Sequence, residues 1–426
     1  MRHIYNLLLY LILPFLPFRL LWKSRKNPAY RMRMAERFGF YNFPALKNSI
    51  WVHAVSVGES ISAVPLIQEL LREYPKTTIV VTTMTPTGAD RIQKIFNNQV
   101  LQLYVPYDYP SMVKRFLRHL KPKILILMES ELWPNILHYS AQRKIPIIVA
   151  NACLSAKSFA NYQKVHWFMR PILNCITMVA AQNKIDAKRF IALGLNPKKI
   201  LVTGNIKFDV KVPDNIAPRV KQLRLAWGKR PIWIAASTHP GEEEKILRAA
   251  KLVRKALPNS LLILVPRHLE RFDEIFNLCR KQGFNIIRYS KNQECLPSTN
   301  IVLGDVMGQL LPFYAASDVA FVGGSLVPLG GHNLLEPAVL AKPVLSGPNL
   351  DEFPEISQLL IDADAMIIVE DEIALAKNLI QLFQNKTLQE KLGCAALEVV
   401  EKHRGVTKKI LGLIKLQIEN IGSRRL

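Results

Sequence analysis

A glutamate placed just after a glycine, where an apolar run ends, is in a good position to accept a proton. The stretch His53-Ala54-Val55-Ser56-Val57-Gly58-Glu59-Ser60 has this form. Gly58 permits a tight strand-to-helix turn, and Glu59 stands at that turn as a candidate general base towards a hydroxyl. The same position equally suits a glutamate that complements a helix N-terminus. Two more carboxylates follow another apolar run, in Met128-Glu129-Ser130-Glu131-Leu132-Trp133-Pro134-Asn135. Carboxylates buried at a strand end are costly, so Glu129 either faces a ligand or caps the next helix. In Gly204-Asn205-Ile206-Lys207-Phe208-Asp209, Lys207 is placed to meet a phosphate or carboxylate, or is simply a solvated lysine.

The second half of the chain carries a different set. Val265-Pro266-Arg267-His268 puts an arginine at a strand end, a natural phosphate clamp that His268 could share. Three glycine-bearing stretches follow: Gly304-Asp305-Val306-Met307-Gly308-Gln309, Phe321-Val322-Gly323-Gly324-Ser325-Leu326 and Gly330-Gly331-His332-Asn333-Leu334-Leu335-Glu336-Pro337. Glycines there let backbone N–H groups approach a ligand. A helix starting near Asn333 would offer its positive end to a phosphate, with Glu336 one turn in to grip ribose hydroxyls. Together these stretches predict a nucleotide site. Glu242, Glu243 and Glu244, after Ser237-Thr238-His239-Pro240-Gly241, would repel a phosphate and read as structural acids at a helix start.

These residues need elements to hold them. Apolar, β-branched runs recur at 50–54, 77–83, 101–105, 124–128, 145–150, 176–180 and 200–203, separated by helical stretches. Runs apolar throughout predict buried parallel strands joined by right-handed crossovers. Pro213, Asp214, Asn215 and Pro218 mark a break, after which strands recur at 231–236, 261–265, 285–288, 301–303, 319–322, 343–345 and 366–369. The expected architecture is α/β: an apolar N-terminal segment at 1–22, a Rossmann-like domain at 23–210, a linker at 211–220, and a second, nucleotide-binding Rossmann-like domain with C-terminal helices at 221–426; the resemblance given below makes these a membrane anchor, an acceptor-binding domain and a CMP-sugar domain. Ligands should then sit in a cleft beyond the carboxyl ends of the strands. Neither G-x-G-x-x-G after the first strand nor a P-loop is present, which disfavours dinucleotide and ATP sites.

With 57 basic residues against 33 acidic, the net charge of +24 calls for anionic partners. No nucleic-acid-binding signature accompanies it, so anionic lipid or a phosphorylated substrate is expected. Five scattered cysteines predict reduced thiols, with no zinc site or disulfide framework. Residues 4–21 are apolar apart from Asn6 and Arg19, and Arg19, Lys23, Arg25, Lys26, Arg31 and Arg33 provide a basic flank. This predicts a membrane anchor with the body on the cytoplasmic side, either spanning or lying in the interface.

With these residues in place, the chain resembles the 3-deoxy-D-manno-octulosonic acid (Kdo) transferases. The matching motifs occur in order: W-V-H-A-V-S-V-G-E, E-S-E-L-W-P-N, N-A-x-L-S-x-x-S, G-N-I-K-F-D, S-T-H-x-G-E-E, V-P-R-H and G-G-H-N-x-L-E-P. The resemblance implies a GT-B fold and transfer of Kdo from CMP-Kdo to the lipid A precursor (lipid IVA) at the inner membrane. It casts Glu59 as the base, with Glu129 and Lys207 aiding the transition state. It assigns CMP to Pro266, Arg267, Met307, Gly308, Gln309, Asn333, Leu334, Leu335 and Glu336. Gln309 departs from the glutamate expected in the family. No metal or other cofactor is expected: a monophosphate leaving group carries less charge than a diphosphate, and no Asp-x-Asp pair ends a strand. Arg31, Arg33 and Arg37 are expected to meet acceptor phosphates. The alternatives are another GT-B enzyme using a UDP-sugar, including an epimerase, and an inactive membrane-bound binding protein.

Overall fold

The computed structural model describes residues 2–423; residues 1 and 424–426, at the ends of the two outer expected segments, lie outside it. The chain divides into two compact units, one of residues 1–209 with 404–426 and one of residues 210–403.

The first unit is built on a seven-stranded sheet. Its strands are β1 (Ser49–His53), β2 (Thr78–Thr83), β3 (Leu101–Tyr104), β4 (Pro122–Met128), β5 (Ile147–Ala152), β6 (Met178–Ala181) and β7 (Ile200–Val202). They are parallel, in the order β3-β2-β1-β4-β5-β6-β7. Successive side chains of a strand point to opposite faces, and both faces are covered. Trp51, Leu125 and Val149 pack on one side with Phe116, Ile136 and Phe190. Ile50, Val52, Ile126 and Ile148 pack on the other with Leu66, Ile67 and Ile92. Burial on both faces is why these strands read as unbroken apolar runs.

The second unit repeats the plan with β8 (Ile232–Thr238), β9 (Leu261–Pro266), β10 (Ile286–Arg288), β11 (Ile301–Leu303), β12 (Val319–Val322), β13 (Val344–Ser346) and β14 (Met366–Ile368). The order is β10-β11-β9-β8-β12-β13-β14, again parallel. Each predicted strand is found within a few residues of its expected place.

The expected segmentation needs two corrections. Residues 211–220 are not all linker, since a helix, Ile216–Trp227, begins inside them and buries Leu223 and Trp227 against the second sheet. The tail does not stay with the second unit. Its last helix, Val406–Ser423, buries Val406, Ile410, Leu411 and Ile414 in the first unit beside Leu66 and Ile126. Apolar side chains of this size contribute roughly 1.5–3 kcal/mol each when fully buried. The Asp209 carboxylate fixes the return by accepting from the N–H groups of Gly405 (2.7 Å) and Thr407 (2.6 Å) at the start of that helix.

The N-terminal run Arg2–Arg25 is long and apolar enough to cross a membrane. It docks on the first unit through Leu16 and Leu20, against Tyr107, Tyr109 and Met112. Two polar side chains of the run are also docked. Asn6 accepts from the Asn135 side chain (2.7 Å), and the Tyr5 hydroxyl donates to Asp108 (2.9 Å). Leu7, Leu11, Phe15, Phe18 and Trp22 remain more than half exposed.

Of the three arginines expected to meet phosphates, Arg37 is buried, its guanidinium 4.0 Å above the Tyr104 ring. Arg33 is held by Glu36 and Gln102, and Arg31 donates to Ser24. Arg37 therefore cannot serve that role, and Arg33 is already engaged within the unit.

Candidate functional sites

In the first sheet, the order in which strands are added reverses between the parallel neighbours β1 and β4, and the ligand crevice of such a sheet lies beyond the carboxyl ends of those strands. Glu59 and Glu129 follow these two strands. Ser56 caps the helix Val57–Glu73, its hydroxyl accepting from Glu59 N–H (3.2 Å). The Glu59 carboxylate reaches back to accept from Val55 N–H (2.8 Å) and Ser56 N–H (3.3 Å), completing a reciprocal capping box. Both readings of Glu59 are therefore physically available. It is a helix cap, 6 % exposed, and each carboxylate oxygen still has a lone pair for an incoming hydroxyl.

Glu129 does not cap the next helix. Asp108 does so, accepting from Asn135 N–H (2.9 Å) and Ile136 N–H (2.8 Å). Glu129 instead adopts a left-handed backbone (φ 58°), uncommon for a residue with a side chain and found preferentially at functional sites. Burial and the charge of Glu59 push its carboxyl up, while Lys207 draws it down. Lys207 lies in a single turn, Ile206–Phe208, held by two asparagines. Asn205 accepts from Lys207 N–H (3.1 Å), and Asn151, itself left-handed, accepts from Ile206 N–H (2.9 Å). The structure thus brings Glu59, Glu129 and Lys207 into one electrostatic neighbourhood.

Sequence reasoning missed the groups around them. Glu131 is pushed up to about 7, chiefly by burial and then by Glu59, although the Trp133 indole donates to it (2.6 Å). Trp133 packs edge-on against His53, a neutral imidazole that burial pushes down to about 3. The Cys153 thiol is pushed up to about 12 by burial and Glu129, so it is no nucleophile. The motif E-S-E-L-W-P already contained Glu131 and Trp133; only the fold shows that both turn inward.

In the second unit, strand order reverses between the parallel neighbours β8 and β12. Here Glu242 is fully buried. Its carboxylate accepts from the N–H groups of Gly324 (2.7 Å), Ser325 (3.1 Å) and Leu326 (3.0 Å), and from His239 N–H (3.3 Å). This confirms the structural reading of Glu242 and corrects the expectation for the glycine stretch, whose donors are taken by a carboxylate of the protein. Gly323 has no room for a side chain: a Cβ there would lie 2.7 Å from Glu242 Oε2. Glu243 is likewise structural, binding Arg271 (2.6 Å) and the Thr238 hydroxyl (3.0 Å).

Arg267 donates its backbone N–H to Thr238 O (3.0 Å), which fixes it at the carboxyl end of β9. Its charge acts on His239, His332 and Glu336, so these four form a second neighbourhood. The expected helix near Asn333 is one turn, Leu335–Ala338, too short for a substantial dipole, and Asn333 accepts from Leu335 N–H (3.1 Å). Leu334 and Leu335 have fully buried side chains, which leaves only their backbone to meet a ligand. Met307 is exposed and Gly308 is left-handed (φ 78°), while the Gln309 side chain accepts from Arg219 (3.4 Å). Among the described residues, no group of three or more His, Cys, Asp or Glu side chains is arranged to hold a metal ion.

Comparison with known proteins identifies the family. Residues 32–210 match the family model for 3-deoxy-D-manno-octulosonic-acid transferase (kdotransferase). A 3-deoxy-D-manno-octulosonic acid transferase of Haemophilus influenzae is 42% identical over 400 residues, covering 93% of this chain and 94% of that protein. One from Bordetella pertussis is 34% identical, covering 86% of each. Among solved structures, a UDP-GlcNAc 2-epimerase from Neisseria meningitidis superposes with a TM-score of 0.60 at 16% identity, over 86% of this chain and all of that one. That likeness is one of fold alone: two parallel sheets of the GT-B class.

Proposed function

The chain belongs to the 3-deoxy-D-manno-octulosonic-acid (Kdo) transferase family and is a glycosyltransferase of lipopolysaccharide biosynthesis, and we propose that it moves Kdo from CMP-Kdo to a lipid A precursor with inversion and without a metal. The observation that carries the reading is the electrostatic grouping of Glu129 with Glu59 and Lys207, the two glutamates standing just beyond the carboxyl ends of the neighbouring strands β4 and β1.

In this mechanism Glu59 accepts the proton of the acceptor hydroxyl, whose oxygen attacks the anomeric carbon of Kdo. The bond to the phosphate oxygen breaks on the opposite face, through an oxocarbenium-like transition state. The capping hydrogen bonds keep Glu59 from rotating away, so little reorganisation is needed. Glu129 and Lys207 supply one negative and one positive charge beside it, suited to a sugar centre that turns cationic and to its carboxylate. In the second unit Arg267 clamps the phosphate, and the neighbouring imidazoles add polar contacts. These side chains can balance the single extra charge of a departing monophosphate.

The N-terminal run then lies in the interface of the inner membrane on its cytoplasmic side. Its docked stripe faces the first unit, and Leu7, Leu11, Phe15, Phe18 and Trp22 face lipid.

Purified protein, CMP-Kdo, tetraacylated lipid A precursor and EDTA, read by mass spectrometry, test the proposal. One or more added Kdo units confirm donor, acceptor and metal independence together. No product from folded, CMP-binding protein overturns the acceptor or the metal-free claim, and restored transfer on adding magnesium singles out the latter.

A further inference from the structure

His239 follows β8, and His332 lies in the loop after β12. Their rings stack with centroids 5.0 Å apart and planes at 14°, and the two Nε2 atoms are 2.7 Å apart. At that distance one Nε2 carries a hydrogen and the other offers a lone pair, so the couple holds a single proton between facing atoms. The surroundings are cationic. His268 stands edge-on to His239 at 5.2 Å, and Arg267 acts on both members. Arg271 acts on His239 from the following turn. Burial and these charges push His332 down to about 4 and lower His239 as well.

The nearby acids are already committed. Glu242 accepts four N–H groups, Glu243 and Glu274 hold Arg271, Glu270 lies 3.7 Å from His268, and Glu336 is bonded to Asn333 and faces Arg267. Gly324 closes the couple from below: a Cβ there would lie 3.0 Å from His332 Cδ2. The result is an imidazole couple kept short of one proton by positive neighbours, at the point of the sheet where a ligand is expected. An anion arriving there removes the reason for the deficit.

The chemistry of the leaving group fits that deficit. In the donor the phosphate is a diester with one negative charge. When the carbon–oxygen bond breaks, the oxygen keeps the bonding pair and the phosphate becomes a monoester, whose second pKa is about 6. We propose that the His239–His332 couple takes up one proton as the donor phosphate binds and passes it to the phosphate oxygen as the bond to the sugar breaks. The proton lost by the acceptor hydroxyl goes to Glu59, the new carbon–oxygen bond replaces the old one, and solvent resets both groups. This rests on the reading that the second unit holds CMP-Kdo.

The test is calorimetry of CMP binding to the full chain at pH 7, in two buffers with different ionisation enthalpies. The difference in heat gives the protons taken up. The wild type should take up between about half a proton and one, and CMP affinity should fall by up to about tenfold per pH unit from 7 to 8. His332→Gln and His239→Gln should bind CMP with no uptake, and cytidine should draw no proton from any variant. CMP bound with equal proton counts in the wild type and His332→Gln overturns the couple and leaves the donor reading standing. No CMP binding by folded wild type overturns the donor reading, and the couple with it.

Discussion

Glu59→Gln separates the two roles that Glu59 can have. As a cap, Glu59 accepts a strong bond from Val55 N–H at 2.8 Å and a long one from Ser56 N–H at 3.3 Å. Glutamine keeps an oxygen for the first and turns its amide hydrogens towards the second. A hydrogen bond to a charged group is worth about 1.5–3 kcal/mol and a neutral one about 0.5–1.5. The exchange should therefore cost roughly 1–2 kcal/mol, plus a few tenths for the lost charge at the start of helix Val57–Glu73. A fold stable by about 5–15 kcal/mol survives that. As a base, the same change removes the proton acceptor and should lower kcat about 10²–10⁴-fold. Initial transfer rates at saturating donor, beside a urea unfolding curve, read the two effects separately. An unfolding midpoint that drops while kcat stays within threefold would leave Glu59 as a cap alone and refute the proposed chemistry.

Other consequences follow from the same geometry. Glu242→Ala leaves the N–H groups of Gly324, Ser325 and Leu326 without their acceptor; at about 1–3 kcal/mol for each unsatisfied group, it should sharply lower the unfolding midpoint and weaken CMP binding at least tenfold, by calorimetry. Glu131 has a carboxyl raised to about 7, so the folded state binds its proton more tightly than the unfolded state. Its contribution to stability is intact below about pH 4.5 and lost as pH rises to 7. Denaturation across that window should find Glu131→Gln gaining on the wild type as pH rises, with no difference at pH 4. A chain ending at His403 uncovers the pocket of Val406, Ile410 and Ile414, and should appear in the insoluble fraction or lose the cooperative unfolding of the first unit.

Much of this architecture was legible because parallel strands covered on both faces must be apolar along their whole length. Runs such as 124–128 and 261–265 admit few other readings. Catalytic candidates were legible where a charge interrupted such a run, as at Glu129. Partnerships distant in sequence were not. Arg37 sits in a row of basic residues and reads as surface, yet Tyr30, Tyr104 and Tyr107 gather around it. The cap of the helix at 134–142 is Asp108, on a different loop, which released Glu129 for another role. The C-terminal helices were legible as helices, but nothing local in the sequence showed that the last of them would pack on the first sheet rather than the second. The histidine couple joins positions 93 residues apart that no local spacing connects.

The return of the last helix to the first unit also orders events during synthesis. Domains made in series usually fold from the amino terminus onwards as the chain emerges. Here the second unit, residues 210–403, is complete while the first still lacks the helix that seals one face of its sheet. The unit made first is thus the last to close. Until that helix has emerged, the apolar side chains around Leu66 and Ile126 lie uncovered, on the opposite face of the sheet from the one flanked by the N-terminal run. Closure of the first unit therefore waits on a helix made after the whole of the second unit.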